Sequence, residues 1–315
     1  MQNAELIRAI IFFSLVAAIY AFAAIICIKW LLQKLGRTSL SEQRGQVWFR
    51  RTILSLSFIG LLCIGYGYFI EPYRVAITRI QIKSEKLPKG ANPIRLIHIS
   101  DLHSDPTPRL EKQLPEIIKN EKPDVIVFTG DSINSPEGLP VFRECLANLA
   151  AIAPTYVVKG NWDSAFWNRL NLFEGTGANE LNGNSVAINL QGTTLHIAGV
   201  AVGNEGRMQQ MFASIPQNEL SIFLYHYPDL ITEIAEQKID LYCAGHTHGG
   251  QIALPFYGAL ITLSKFGKQY EAGLYKVGQT SLYVNRGIGM EGGNAPRVRF
   301  YATPEVTIID IVPSP

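Results

Sequence analysis

The chain has 315 residues, room for one sizeable domain plus accessory segments. Its net charge of only +2 provides no broad basic field, which argues against nucleic acid as a partner. Hydrophobic residues make up 47% of the chain, an excess concentrated near the amino terminus.

Ala9 to Ile28 and Thr52 to Ile70 are free of charged residues. At a rise of ~1.5 Å per residue, each is long enough to cross a ~30 Å hydrocarbon core as a helix. A signal peptide fits the first poorly, because its apolar region would be shorter and end in a small-residue cleavage site. The expected organisation is a multi-pass cell-membrane anchor over 1–70 with helices at 9–28 and 52–70, a connector over 71–92, and an α/β domain over 93–315. Lys29, Lys34, Arg37, Arg44, Arg50 and Arg51 face only Glu42 between the spans, which favours a cytoplasmic loop with both chain ends outside. Arg74, Arg79, Lys83, Lys86 and Lys89 follow the second span and pull the other way, so charge alone leaves the side of the domain open. Cys27 and Cys63 lie in the spans, and Cys145 and Cys243 lack metal-type spacing, so core packing is their expected role.

After a short strand within Val75–Ile82, the sequence alternates strand and helix. Strands are predicted at Ile94–Ser100, Asp124–Asp131 and Thr155–Asn161, and helices at Glu111–Asn120 and Val141–Ile152. Pro115 suggests that the first helix starts near it. From Ser185 strand pairs dominate, with Ser185–Leu190 and Thr194–Ala201 flanking a Gln191-Gly192 turn. Strands at Ser221–His226 and Asp240–Gly245, a helix near Leu230–Glu236, and late strands at Gly273–Val277, Ser281–Arg286 and Glu305–Ile311 complete the order. The βαβαβ start argues for a sheet covered by helices.

Polar residues fall where these strands end. The first ends in Asp101-Leu-His103, the second in Gly130-Asp131, and the third in Gly160-Asn161-Trp162-Asp163. The later two end at His226 and in Gly245-His246-Thr247-His248. The carboxyl edge of the strands is where open α/β sheets place their sites. A lone Gly-Asp is an ordinary turn, but five strand ends converging on imidazole, carboxylate and one amide oxygen is metal-ligand chemistry. Such a set, without thiolates, suits Mn²⁺ first, with Fe²⁺, Zn²⁺ or Mg²⁺ as alternatives. Seven ligands are too many for one ion with an open position, so two divalent metal ions sharing a carboxylate is the economical reading.

The blocks D-x-H, GD, GN, a single His and GHTH, in this order, resemble the calcineurin-like metallophosphoesterase family over about Ile94 to Ile311. Within it, Gly245–Ile252 and Gly273–Gly287 resemble blocks of the membrane-associated branch. The resemblance implies an α-β-β-α sandwich preceded by two transmembrane helices. It also implies a metal-dependent phosphoric ester or anhydride hydrolase. Asp101, His103 and His248 would hold one metal, Asn161, His226 and His246 the other, and Asp131 would bridge them. The nucleophile would be a hydroxide held between the metals, with no protein base needed.

Most members carry GNH, whose His is thought to protonate the leaving oxygen or to bind the phosphate. Here the position is Trp162, an indole donor unable to act as an acid. A leaving phosphate, with a second pKa of ~6, needs that proton far less than an alkoxide does. Trp162 thus favours a phosphoanhydride, unless it only covers the site while Arg286 or a metal-bound water takes the role; both residues are candidate substrate contacts. The anchor, Phe166, Trp167 and the apolar Leu254–Leu263 segment point to acyl chains on the substrate. Together these features resemble the UDP-2,3-diacylglucosamine pyrophosphatases, one branch of which also lacks the histidine. That substrate is cytoplasmic, so an extracytoplasmic phosphomonoesterase or phosphodiesterase is the competing expectation. A non-enzymatic metal-binding scaffold fits less well, because all seven ligand positions are filled.

Overall fold

The computed structural model describes residues 2–36, 44–293 and 296–314; Arg37 and Glu42 of the basic loop lie outside them. Two helices open the chain, α1 (Gln2–Lys34) and α2 (Arg44–Phe69). Both are long and apolar enough to cross a membrane, with candidate spans inside Ala4–Lys34 and Arg44–Tyr73. Glu5 in the first turn of α1 and Lys34 in its last complement the helix dipole. The two helices pack against each other, and the free ends of this hairpin are both tied to the domain that follows. Glu5 accepts hydrogen bonds from Thr262, and the Gly67 carbonyl accepts the Arg299 N–H at 2.9 Å. Just past α2, buried Glu71 receives the Tyr301 N–H at 2.8 Å and the Thr303 hydroxyl at 2.9 Å.

The chain then enters β1 (Ala76–Ser84), β2 (Ile94–Ile99), α3 (Leu114–Asn120), β3 (Val125–Phe128), α4 (Leu139–Ala150), β4 (Thr155–Val157), α5 (Asn161–Phe166) and β5 (Asn179–Glu180). It continues through β6 (Asn184–Leu190), β7 (Thr193–Gly199), α6 (Met208–Ala213), β8 (Leu220–Leu224), α7 (Ile231–Glu236) and β9 (Leu241–Ala244). A small hairpin, β10 (Ala253–Leu254) and β11 (Gly258–Ala259), precedes β12 (Gly273–Val277), β13 (Thr280–Val284) and β14 (Glu305–Pro313). Two six-stranded sheets result, ordered β1-β14-β2-β3-β4-β5 and β12-β13-β9-β8-β7-β6.

The alternation of side chains along the strands builds the layers. Ile94 and Leu96 of β2 face Ile222, Leu241 and Tyr283 of the other sheet, forming the layer between the sheets. Ile97 and Ile99 face the opposite way, onto Leu114 and Ile118 of α3 and Phe142 and Leu146 of α4. On the second sheet Phe223, Tyr242 and Leu282 pack under Met211, Ile231 and Ile234 of α6 and α7. The fold is therefore the α-β-β-α sandwich expected from the resemblance, with the two apolar helices in front. Cys145 lies on the buried face of α4 and Cys243 between the sheets.

Three local readings differ from the sequence expectation. The short strand near Val75–Ile82 is longer than its apolar pattern suggested, pairing in parallel with β14 along its whole length. The helix read from Glu111 starts at Leu114, because Pro115 sits at its first turn, where a missing N–H costs nothing. Asn161 does not end a strand; β4 stops at Val157, and Asn161 opens α5.

Candidate metal centre

Strands β2, β3 and β9 deliver their polar residues across sharp turns. Asp101, His103, Asp131, His246 and His248 all have positive φ, between 40° and 72°. Side chains rarely adopt this region, and such strain collects at functional sites. The GD and GN turns meet backbone to backbone: a Cβ at Gly130, whose φ is +98°, would strike the Gly160 amide, and one at Gly160 would strike the Asp131 carboxylate. Gly160→Ala is expected to push Asp131 out of place and to weaken Mn²⁺ binding about 10–100-fold. Calorimetric titration measures this, and unchanged affinity would remove the close approach from the argument.

Neighbouring groups then fix the orientations. The buried Asp163 carboxylate receives the N–H groups of Asp131 at 2.9 Å, Ser132 at 2.9 Å and Gly160 at 3.0 Å, locking the two turns together. Asp131 Oδ1 accepts the Trp162 backbone N–H at 2.9 Å, leaving Oδ2 to face His226 Nε2 at 3.3 Å and His103 Nε2 at 3.5 Å. Asp101 Oδ1 lies 3.4 Å from His248 Nε2 and 3.9 Å from His226 Nε2. His226 Nδ1 lies 2.7 Å from the Thr129 carbonyl, which requires the proton on that nitrogen and turns Nε2 toward the carboxylates.

Asp101, His103 and His248 thus form one group whose ligand atoms lie within 4.8 Å of one another, and Asp101, Asp131 and His226 form a second. The His246 ring stands 5.2 Å from that of His226 between centroids, and Asn161 lies in the chain between Gly160 and Trp162, whose backbones both meet Asp131. Among fully buried polar atoms without a hydrogen-bond partner are both ring nitrogens of His103, Nε2 of His226 and Oδ1 of Asn161. Orphaned atoms of this kind cost stability unless something satisfies them. Lone pairs from imidazole, carboxylate and amide converging in one place fit divalent cations, and the cluster is a candidate binuclear metal site.

The electrostatics agree. Burial opposes a charge on His226, but Asp131, Asp101 and the Thr129 carbonyl outweigh it and push its pKa up to about 9. Burial would raise Asp131, yet His226 and the other imidazoles hold it down to about 2. Asp101 is pushed up to about 7 by burial and by Asp131. Burial keeps His103 and His246 neutral, at about 4 and about 3. A proton on His226 therefore stands in for a cation below about pH 9, and a cation must displace it. Mn²⁺ affinity is expected to fall about tenfold as pH is lowered from about 8.5 to 7.5. Titrations in buffers of differing ionisation enthalpy read the released proton, and a flat affinity across that range would contradict this account.

Of the expected substrate contacts, Trp162 stands edge-on to His103, with ring centroids 5.4 Å apart. Arg286 is tied by its guanidinium to Glu305 at 3.2 Å and to the Thr303 carbonyl at 3.2 Å. Three residues of the site were not singled out from the sequence. Asp163 was visible in the GNWD block, and its place three residues after Gly160 is a capping signal. Arg299, wholly buried, donates to the Ala302 carbonyl at 2.8 Å and lies 3.2 Å from His248 Nδ1. Glu291 accepts from the Trp162 side chain, and burial raises its pKa. Neither Arg299 nor Glu291 sits in a motif.

The layered fold and a strained, carboxylate-and-imidazole cluster at the strand ends define a metal-dependent phosphoester hydrolase. The model for calcineurin-like phosphoesterases matches residues 94–250, which takes in every candidate ligand. The chain is 34% identical over 269 residues to the uncharacterized metallophosphoesterase YkuE of Bacillus subtilis (strain 168), covering 78% of this chain and 90% of that one. It belongs to the calcineurin-like phosphoesterase family. It is also 28% identical over 258 residues to the phosphodiesterase YaeI of Escherichia coli (strain K12), covering 79% of this chain and 92% of that one. A Danio rerio transmembrane protein with a metallophosphoesterase domain is 25% identical over 292 residues, covering 84% of this chain and 64% of that one.

Proposed function

We propose that this protein is a membrane-anchored, binuclear-metal phosphohydrolase that cleaves a phosphoanhydride in a lipid-linked nucleotide such as UDP-2,3-diacylglucosamine. The observation that carries the reading is Trp162. Its side chain lies against His103, where most relatives by motif would place an acid, and its indole only donates. Asp101, His103 and His248 would hold one cation, Asn161, His226 and His246 the other, with Asp131 facing both sets. The cations would supply charge neutralisation of the phosphoryl group and a lowered pKa for water. The chain itself orients them, through Asp163 on the two turns and Thr129 on His226. With no acid at position 162, a leaving phosphate departs more readily than an alkoxide.

A second reading is an extracytoplasmic phosphomonoesterase or phosphodiesterase. The name of the Escherichia coli relative and the basic loop between the spans favour it. Detergent-solubilised full-length protein with Mn²⁺ should cleave UDP-2,3-diacylglucosamine in preference to p-nitrophenyl phosphate. Preference for the aryl ester would overturn the anhydride reading. A reporter fused to the carboxyl terminus that reports an extracytoplasmic location would overturn the lipid-linked nucleotide.

A further inference from the structure

α1, long and apolar enough to cross a membrane, also contributes a wall to a groove that ends at the candidate metal ligands. The groove holds about 450 Å³ and runs from His246 and His248, past Leu260 and Leu263, to Leu6 and Phe13 of α1. That volume lies in the range of small-molecule sites. Leu6 and Phe13 are 55% and 44% exposed, and Leu263 is 49% exposed, so the apolar walls stand open. Ala9 begins the uncharged stretch of α1, which puts Phe13 inside the apolar span and Leu6 at its edge.

The wall is held in place. Glu5, nearly fully buried, accepts the Thr262 N–H at 3.1 Å and its hydroxyl at 3.0 Å. The adjacent Leu263 carbonyl lies 3.4 Å from His246 Nε2, so the segment that clamps α1 also touches a candidate ligand. Arg8 donates to the Tyr257 hydroxyl at 3.4 Å, and next to it Phe256 projects fully into the surroundings from the tip of the β10–β11 hairpin. An exposed Phe beside the first turns of an apolar helix is suited to insert at a membrane surface.

We propose that α1 forms part of the substrate site, and that the site takes an amphiphile from the surrounding bilayer. Its alkyl chain lies along Leu6 and Phe13 and its phosphate or diphosphate head sits at His246 and His248. The groove suits this occupant because one end is apolar and continuous with the span, whereas the other end is a cluster of ligands for cations that bind phosphate. A lipid moving along α1 reaches the cluster without leaving apolar surroundings, which avoids exposing its chain to water. The inference rests on the phosphohydrolase reading and adds where the chain of the substrate goes.

The test compares ethylphosphonate with decylphosphonate, titrated calorimetrically into the Mn²⁺-loaded full-length protein in lipid nanodiscs. The extra methylenes should tighten binding by at least about 100-fold in the natural protein. In Leu6→Gln and in Phe13→Ala that ratio should shrink by about tenfold. Partitioning of decylphosphonate into the nanodisc lipid is common to all variants and cancels in the comparison. Equal affinity for the two phosphonates, or the same ratio in the variants as in the natural protein, overturns the groove while leaving the phosphate site standing. Binding of neither phosphonate overturns the phosphohydrolase reading itself. Both residues are about half exposed and the Glu5 clamp is untouched, so the variants keep the fold.

Discussion

Asp131→Asn is expected to abolish hydrolysis, with a loss above about 10³-fold, larger than the 10–100-fold typical of groups that only orient ligands. The change keeps size and shape, so the expected cause is chemical. Asp131 Oδ1 accepts the Trp162 N–H at 2.9 Å. An asparagine must keep its carbonyl oxygen there, since an amide NH₂ would set donor against donor. The NH₂ is then forced onto the side now occupied by Oδ2, facing His226 Nε2 at 3.3 Å and His103 Nε2 at 3.5 Å. There it offers no lone pair to a cation, and the carboxylate that faces both ligand sets is lost. Bound metal, measured by mass spectrometry after gel filtration, should fall from about two ions per chain toward one or fewer. The variant should remain folded, because the Asp131 backbone keeps its bonds to Asp163 and His103. Full activity with two ions retained would refute the shared role.

Much of this site was legible because most of the candidate ligands follow an apolar strand within a few residues. Asp101, Asp131, His226 and His246 are set by local chain direction, and the carboxyl edge of a sheet gathers them whatever the details of the packing. Legibility ends where position depends on distant chain. Arg299 holds the carbonyls of Arg286, Gly289 and Ala302 and approaches His248, a set gathered from the turns after β13 and after β9. The pairing of β1 with β14 joins strands from opposite ends of the domain, and no local pattern encodes that partner. The place of Glu5 beneath Thr262 is the clearest case, because an acid at a helix start reads as a dipole partner. Its burial against a loop near the far end of the sequence is purely tertiary. The Arg286 guanidinium, a candidate phosphate contact, is held against Glu305 of a neighbouring strand, a partner that no local pattern encodes.

Trp162→His should create activity rather than remove it. Backbone and side chain of Trp162 play separable parts: the N–H to Asp131 survives any residue but proline, whereas the indole packs on Phe166 at 5.1 Å between ring centroids. Histidine at this position brings a group with an ordinary pKa of ~6.5 beside His103, able to hand a proton to a departing alkoxide. Hydrolysis of an alkyl phosphate ester should rise by up to about 10²–10⁴-fold, the usual worth of a positioned acid. Cleavage of a phosphoanhydride should change by less than about tenfold, because its leaving group needs little help. The gain should fade above about pH 7, as the imidazole loses the proton it must donate. Trp162→Phe separates this from steric relief, since it too removes the indole donor to Glu291 yet adds no acid. A gain appearing equally in Trp162→Phe would mean that the indole merely restricts access. No gain in Trp162→His, with anhydride cleavage intact, would mean that the leaving oxygen is protonated from elsewhere. Glu291 is then the nearest group to examine, since burial raises its pKa and it lines the same groove as His246 and His248.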